Sequence, residues 1–282
     1  MATTVTFTYG ANALTITGDG VFEGPTYDRL EGWYGVDIDV RFQPRPSAPG
    51  SFAPQQAYAR DRVISLEGQY FGADRADATA MRERLLGLQN DGRPLTMTVA
   101  DDLRTTSREV YVEQITVPWT IHQEFAYAID VRAADPRRYA PGVSASSPLA
   151  AAGEGLSLPL VFPVDFGVAG VDGRLTTVNA GNTATGTLFH VSGTMPDGFV
   201  LVNVNTGQRI TYLGPVALTA SVTIDTRFRT ALIEGTGPAA RFLAAPEWWD
   251  VPAGSSVDVQ FVARGPVSDS PTLTATTASA FY

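Results

Sequence analysis

The sequence has no cysteine, no lysine and only two histidines among its 282 residues. Without cysteine, the chain has neither a disulfide framework nor a thiolate nucleophile. His122 and His190 are far apart in sequence, and neither belongs to a group of residues with the spacing of metal ligands. We therefore interpret both histidines as structural residues and predict no metal site and no cofactor.

Long apolar runs and clusters of positive charge are also missing. No stretch approaches the roughly 20 apolar residues that a membrane helix needs, and residues 1–4 do not resemble the start of a signal peptide. The net charge is −9 and the pI is about 4.7, and all 20 basic residues are dispersed arginines. Because affinity for phosphates needs clustered cations, stable binding of nucleic acid is disfavoured. We expect a chain that folds in the cytoplasm without contacting a membrane.

The usual catalytic motifs are absent as well. The sequence contains no Gly-x-Ser-x-Gly elbow and no glycine-rich phosphate loop between a strand and a helix. Glu247, Trp248, Trp249 and Asp250 have the residue types of a glycosidase site, with carboxylates beside aromatic platforms. Adjacent residues of a strand point to opposite faces, so we predict Trp249 in the core and Trp248 as a candidate contact for a glycan or a protein partner. Glu247 and Asp250 are interpreted as turn and strand-end residues.

One segment, residues 74–90, has clear helical periodicity. Ala78, Met81, Leu85 and Leu88 recur at helical spacing, and Asp74 stands at the N-cap position. Apolar residues alternate with polar or small ones on both sides of this segment, over residues 64–70 and 95–99, as is typical of strands. The N-terminal part is therefore predicted to be a β-sheet or split barrel with one α-helix.

The region before this unit contains a second alternating stretch and a proline-rich segment. Residues 34–42 alternate between apolar and polar side chains, which predicts a half-buried strand. Residues 43–59 are rich in proline without periodicity, which predicts a long extended loop or arm. Because such a segment loses little entropy when it docks, we interpret it as an intersubunit arm. Its candidate contact residues are Pro44, Pro46, Pro49, Phe52 and Pro54.

The composition changes after Tyr139. Residues 141–154 are small and almost uncharged, which indicates a linker. Short β-type runs at regular spacing follow, and this pattern predicts a β-sandwich of the jelly-roll or galectin-like kind. The predicted organisation is a mainly β chain with an N-terminal domain over residues 1–140, a linker over 141–154 and a sandwich over 155–282.

The order of these elements resembles a known family. Residues 62–70, the helix, residues 95–99 and the sequence Asp135-Pro136-Arg137-Arg138-Tyr139 together resemble the N-terminal domain of phage distal tail (Dit-like) proteins, from long non-contractile tails. The second half is similar to the C-terminal sandwich of that family. The matching pieces of the second half are Asn179-Ala180-Gly181-Asn182, Asn203-Val204-Asn205-Thr206-Gly207, Ile224-Asp225-Thr226, and Trp249 before Pro252-Ala253-Gly254.

The resemblance implies a structural protein of the virion, which is synthesised in the host cytoplasm. Such N-terminal domains are tail-tube-like and form a ring, usually a hexamer, at the distal end of the tail. The ring joins the tail tube to the tip or baseplate and continues the DNA conduit, while the C-terminal domains point outward. The implied partners are other copies of the chain, the tail tube protein, and tip, hub, receptor-binding or tape-measure proteins. DNA would be present only in passage.

An acidic lumen suits this role, because DNA must pass without adhering to the wall. We therefore hypothesise that several of Asp19, Glu23, Asp37 and Asp39 face the lumen. Two other functions are open alternatives. The C-terminal sandwich could be a carbohydrate-binding module that contacts a host-surface glycan through Trp248, or the chain could be a virion-associated hydrolase that uses Glu247. Of the three functions, the hydrolase is the least favoured by the sequence.

Overall fold

A computed structural model describes residues 3–18, 24–54, 57–118, 122–150, 170–267 and 269–282. The chain divides into two compact units. The first consists of Met1–Pro141 together with Phe281–Tyr282, and the second is Gly142–Ala280. The described part is mainly β and has one α-helix, as the sequence predicts.

The first unit is built around a barrel. Its strands are β1 (Thr4–Tyr9), β2 (Asn12–Thr17), β3 (Thr26–Glu31), β4 (Ile38–Val40), β5 (Gln43–Pro44), β6 (Ser51–Phe52), β7 (Ala57–Ala59), β8 (Arg62–Phe71), β9 (Leu95–Ala100), β10 (Thr105–Thr116), β11 (Glu124–Ala133) and β12 (Arg138–Tyr139). Seven of these strands lie in the order β11-β8-β3-β2-β1-β9-β10, and β10 also pairs with β11, which closes the barrel. β1 and β2 form a hairpin and pair in antiparallel register.

The predicted helix is confirmed as α1 (Arg75–Leu86). The Asp74 carboxylate accepts a hydrogen bond from the Asp77 backbone N–H at 2.8 Å, so Asp74 is the N-cap. Ala78, Met81 and Leu85 are buried in the core of the barrel unit, and Leu88 joins them from the 3₁₀ turn that follows. The apolar stripe read from the sequence is thus the face that covers the barrel.

The prediction of a half-buried strand over residues 34–42 was wrong. Only β4 forms a strand there, and it pairs with β7 in a two-stranded ribbon. Ile38 and Phe42 are 57% and 62% exposed. A ribbon of two strands has no second layer against which it could bury one face, so the alternating pattern is present without the burial.

The second unit is the predicted β-sandwich. Its strands are β13 (Val143–Pro148), β14 (Arg174–Asn179), β15 (Thr187–Ser192), β16 (Phe199–Asn203), β17 (Arg209–Tyr212), β18 (Ser221–Asp225), β19 (Thr230–Ile233), β20 (Gly237–Pro238), β21 (Leu243–Ala244), β22 (Ser255–Ala263) and β23 (Thr272–Thr277). One sheet has the order β13-β23-β15-β18-β19-β20 and the other β14-β22-β16-β17-β21. Phe189, Leu201 and Phe261 are among the fully buried side chains of the core. The prediction of short strands at regular spacing in this half is confirmed.

Two predicted boundaries need correction. The predicted linker contains β13, which pairs with β23 along its whole length. The serine hydroxyls of β13 bind the neighbouring strand, as in the Ser144–Thr276 hydrogen bond at 2.8 Å. Because these contacts are not made by apolar side chains, a search for apolar alternation could not reveal β13. At the other end, β24 (Ala280–Phe281) pairs with β12, and Phe281 and Tyr282 belong to the first unit. Residues 151–154 of the linker lie outside the described ranges.

Within the described ranges, no helix is long and apolar enough to cross a membrane.

Candidate assembly interface

A ribbon-like arm leaves the barrel between β3 and β8. We define the arm as residues 36–54 and 57–60. Its base is the β4–β7 ribbon, and its tip is a second ribbon in which β5 pairs with β6. Every residue from 41 to 53 is exposed. The arm therefore adds little to the core of the barrel unit and presents most of its surface for other contacts.

Arg62 fixes the base of the arm to the barrel. Its side chain is only 12% exposed. Nε and Nη2 donate to the backbone oxygens of Gly32 and Tyr34, both at 2.6 Å, and Nη1 donates to Asp37 at 3.2 Å. Gly32 has a φ of +77°, and a Cβ added to it would lie 2.1 Å from the Val63 oxygen, so only glycine fits this turn. The arm thus begins from a rigid base.

The base ribbon has one apolar face and one charged face. Ile38 lies opposite Ala59 and Val40 opposite Ala57, and all four residues are exposed. Asp39 points to the other face, where it pairs with Arg60 at 3.3 Å and Arg41 at 3.5 Å. The hydrogen bond from Arg60 lowers the pKa of the Asp39 carboxyl, although partial desolvation opposes it. Ile38 and Val40 on the apolar face are 57% and 38% exposed.

A cleft lies at the end of β8 that is remote from the arm. Its volume is about 400 Å³, and Gln69, Tyr70, Phe71, His122, Glu124, Phe125 and Ala126 line it. Phe71 is 39% exposed. Desolvation and a hydrogen bond to Asp77 raise the pKa of Tyr70 to about 12, so its hydroxyl stays protonated at neutral pH. We call this surface the β8–β11 cleft.

Stacked arginines and aromatic rings occupy the other end of the barrel. The Arg138 guanidinium lies 4.6 Å from the centre of the Tyr34 ring and 5.8 Å from that of Phe281, and Arg104 lies 4.4 Å from Phe281. Arg138 also donates to the backbone oxygen of Tyr282 at 3.0 Å. These contacts hold Phe281 and Tyr282 on the first unit, beside the base of the arm.

Arg108 lies deeper at the same end. It is 2% exposed, and its guanidinium lies 4.9 Å from the centre of the Trp33 ring. Within the described part of the chain, none of its guanidinium nitrogens has a hydrogen-bond partner. Burial lowers the pKa of Arg108 to about 10, and the charges of Arg138 and Arg62 act in the same direction, so it remains a cation at neutral pH. Sequence reasoning missed it, although its position in phase with Val110 indicates that it points inward.

Of the tryptophan pair of the sandwich, Trp249 lies in the core as predicted, while Trp248 packs partly against that core. Trp249 is 5% exposed and its ring centre lies 6.0 Å from that of Phe189, while Trp248 is partly buried. The Glu247 carboxylate accepts a hydrogen bond from the Arg209 backbone N–H at 2.9 Å, which is a structural role. The glycan contact through Trp248 stays a prediction. Among the described residues, no group of three or more His, Asp or Glu could hold a metal ion.

No protein-family model and no curated protein matches the sequence. The fold, in contrast, has clear relatives. The structure of the SPP1 Dit protein, described as a paradigm of the hub adsorption apparatus in phages that infect Gram-positive bacteria, aligns with a TM-score of 0.65. The alignment covers 99% of each chain at 11% identity. The chain has the Dit fold.

Two structures of the phage P2 baseplate in its activated conformation also match. The one with Ca covers 99% of this chain and 97% of the matched chain, with a TM-score of 0.58 and 7% identity. The one with Sr covers 97% of each chain, with a TM-score of 0.56 and 8% identity. At such identities the likeness is one of fold, and the Dit fold extends over both units. The resemblance that the sequence predicts is confirmed at that level.

The motifs that carried the resemblance are structural elements of this Dit fold. Asn179 is fully buried. Its amide nitrogen donates to the backbone oxygens of Thr183, Val251 and Pro252, at 2.8, 3.1 and 3.2 Å. Its amide oxygen accepts from the backbone N–H groups of Gly181 and Ala280, at 2.9 and 3.2 Å. One side chain therefore joins three separate stretches of backbone in the sandwich.

Residues 135–139 also hold a backbone segment in place, in the barrel unit of the Dit fold. Burial alone would raise the pKa of the Asp135 carboxyl, but hydrogen bonds from Arg137 and Tyr139 outweigh it and hold the pKa at about 2. The Tyr139 hydroxyl donates to Asp135 at 2.7 Å. The motif thus fixes the chain as it leaves β11.

The predicted interface residues lie on the arm of the Dit fold. Pro44 and Phe52 are on the paired strands of the tip, with Pro46 and Pro49 in the turn between them and Pro54 just after. Asp37 and Asp39 lie at the base, and each forms an ion pair with an arginine. Asp19 and Glu23 lie outside the described residues. The roles of these residues in an interface or a lumen stay predictions.

Replacing Arg62 with alanine is expected to loosen the base of the arm without unfolding the barrel. The change removes three hydrogen bonds from a cation, each worth about 1.5 kcal/mol or more, so amide exchange over residues 33–41 should rise at least about tenfold. Hydrogen–deuterium exchange followed by mass spectrometry measures this. Arg41→Ala is the matched control, because that side chain is 88% exposed and forms one ion pair at 3.5 Å. Equal protection of residues 33–41 in Arg62→Ala and the parent chain would contradict the assigned role.

Proposed function

We propose that this chain is a structural protein that forms a ring at the distal end of a phage tail. The observation that carries the proposal is the Dit fold, which spans 99% of the chain and includes both units. The SPP1 relative is described as part of a hub adsorption apparatus, and the other two relatives are baseplate chains. A likeness that includes barrel, helix and sandwich in one order favours the same role in the virion.

The barrel unit forms the ring, with six copies around a lumen that continues the tail tube. Each of the seven barrel strands has neighbours on both sides, so edge pairing between barrel strands is not available for assembly. The subunit contact then lies elsewhere on the chain, and the exposed arm supplies one surface for it. A contact between two different surfaces of the same chain closes into a ring when the rotation is right.

The ring joins the tail tube protein on one side to tip, hub, receptor-binding or tape-measure proteins on the other. DNA passes through the lumen without stable binding, which the net charge of −9 supports because like charge opposes adhesion to phosphates. The sandwich points outward, away from the conduit. In this role the protein is not an enzyme.

The mass in solution tests the proposal. Light scattering on the purified chain should give the mass of six chains of 30.0 kDa each. This mass should stay constant on dilution until the ring dissociates into single chains. A monomer mass at every concentration would contradict the ring.

A further inference from the structure

We propose that the arm tip of one copy docks in the β8–β11 cleft of the next copy. Phe52 is the apolar anchor of this contact, and Arg45 pairs with Glu124. The inference rests on the proposed ring and names the two surfaces that meet in it.

The arm tip combines exposed apolar area with a cation. Phe42 and Phe52 are 62% and 53% exposed. The Arg45 guanidinium lies 5.5 Å from the centre of the Phe52 ring, and it has no ion-pair partner among the described residues. Aromatic and arginine side chains are the commonest anchors of protein interfaces, because they bury a large area and form directed contacts.

The cleft offers the complementary surface. Phe71, Phe125 and Ala126 give it an apolar lining, and its volume of about 400 Å³ is within the range of binding pockets. Glu124 lines the same cleft and forms no ion pair in the described part of the chain. Between residues 41 and 54 the arm carries two arginines and no acidic residue, so the charges of tip and cleft are opposite.

The occupant is a second copy, because the described arm tip does not lie in the cleft of its own chain. Phe42 and Phe52 are exposed within the chain, so they do not lie in the cleft of the same copy. The arm joins β8 at Arg62, and the cleft lies at the opposite end, near Phe71. The ten residues of β8 separate these ends by about 33 Å. A donor surface at one end and an acceptor surface at the other form a head-to-tail contact, which is the kind that builds rings.

Engineered cysteines test the contact directly, because the chain has no cysteine of its own. Ser51→Cys places a thiol beside Phe52 on the arm tip, and Ala126→Cys places one in the cleft. Under mild oxidation, the double variant should give a ladder of covalent oligomers that ends at the ring size. Ser51→Cys combined with Leu103→Cys is the matched control, because Leu103 is 86% exposed outside the cleft. Cross-linking no greater than in the control would overturn the proposal.

Charge reversal gives a second, independent test. Arg45→Glu and Glu124→Arg should each raise the concentration needed for half-assembly by about tenfold, and the two changes together should restore it. Single variants that assemble like the parent chain, or a double variant that is no better than either single one, would overturn the pairing.

If the parent chain has the six-copy mass and the cysteines give no ladder, the docking is wrong and the ring stands. If the parent chain is a monomer and no ladder forms, both proposals are wrong.

Discussion

Replacing Asn179 with alanine is expected to lower the free energy of unfolding of the sandwich unit by about 4 kcal/mol. The substitution removes five hydrogen bonds to backbone groups in a fully buried site, and each group left without a partner costs about 1 to 3 kcal/mol unless water or a backbone shift compensates. Urea denaturation followed by pulsed hydrogen exchange assigns the transition to peptides of the sandwich.

Asn182→Ala is the matched control for this experiment. Asn182 is exposed and belongs to the same motif, so the same chemical change should cost well under half as much. Equal losses of stability in the two variants would show that Asn179 does not join the three backbone stretches as described.

Removing the arm is expected to abolish the ring while leaving a folded monomer. The Arg60 backbone N–H donates to the Asp37 oxygen at 2.8 Å, so the two sides of the arm lie together where they meet the barrel. A short Asn-Gly turn in place of residues 36–60 can therefore close the gap. The bonds from Arg62 to Gly32 and Tyr34 are kept, and the buried core of the barrel includes no residue of the arm. Light scattering should then give the mass of one chain.

The control for arm removal is Leu218→Ser on the sandwich. Leu218 is 68% exposed, so this change also removes exposed apolar area but leaves the arm intact, and the six-copy mass should persist. Unchanged circular dichroism in the β region would show that the armless chain is folded. An armless chain that still forms rings would contradict the role of the arm.

The helix and most of the sandwich could be predicted from the sequence because local signals and burial agree there. The residues Ala78, Met81 and Leu85 recur at the helical period and also face the core. In contrast, the alternation over residues 34–42 indicates a strand but does not say whether another layer covers it. β13 was missed because its serine and threonine contacts are polar. β24 was missed because a strand of two residues is too short to show an alternating pattern.

The candidate interface could be predicted only in part. Proline content predicted an extended segment over residues 43–59, because prolines disfavour the interior of a sheet, but it did not predict the two ribbons that the segment contributes to. The β8–β11 cleft depends on the register that places Phe71 opposite Glu124, two residues far apart in sequence. The stack of Arg104, Phe281, Arg138 and Tyr34 likewise joins four separate segments. Contacts of this kind follow from the topology of the whole barrel unit, and no local pattern encodes them.

Electron microscopy of the purified full-length chain tests the central claim most directly. The ring proposal predicts class averages with sixfold symmetry, a central hole wide enough for a DNA duplex, and the sandwich units at the periphery. Particles without a central hole, or rings that place the sandwich units around the lumen, would contradict it.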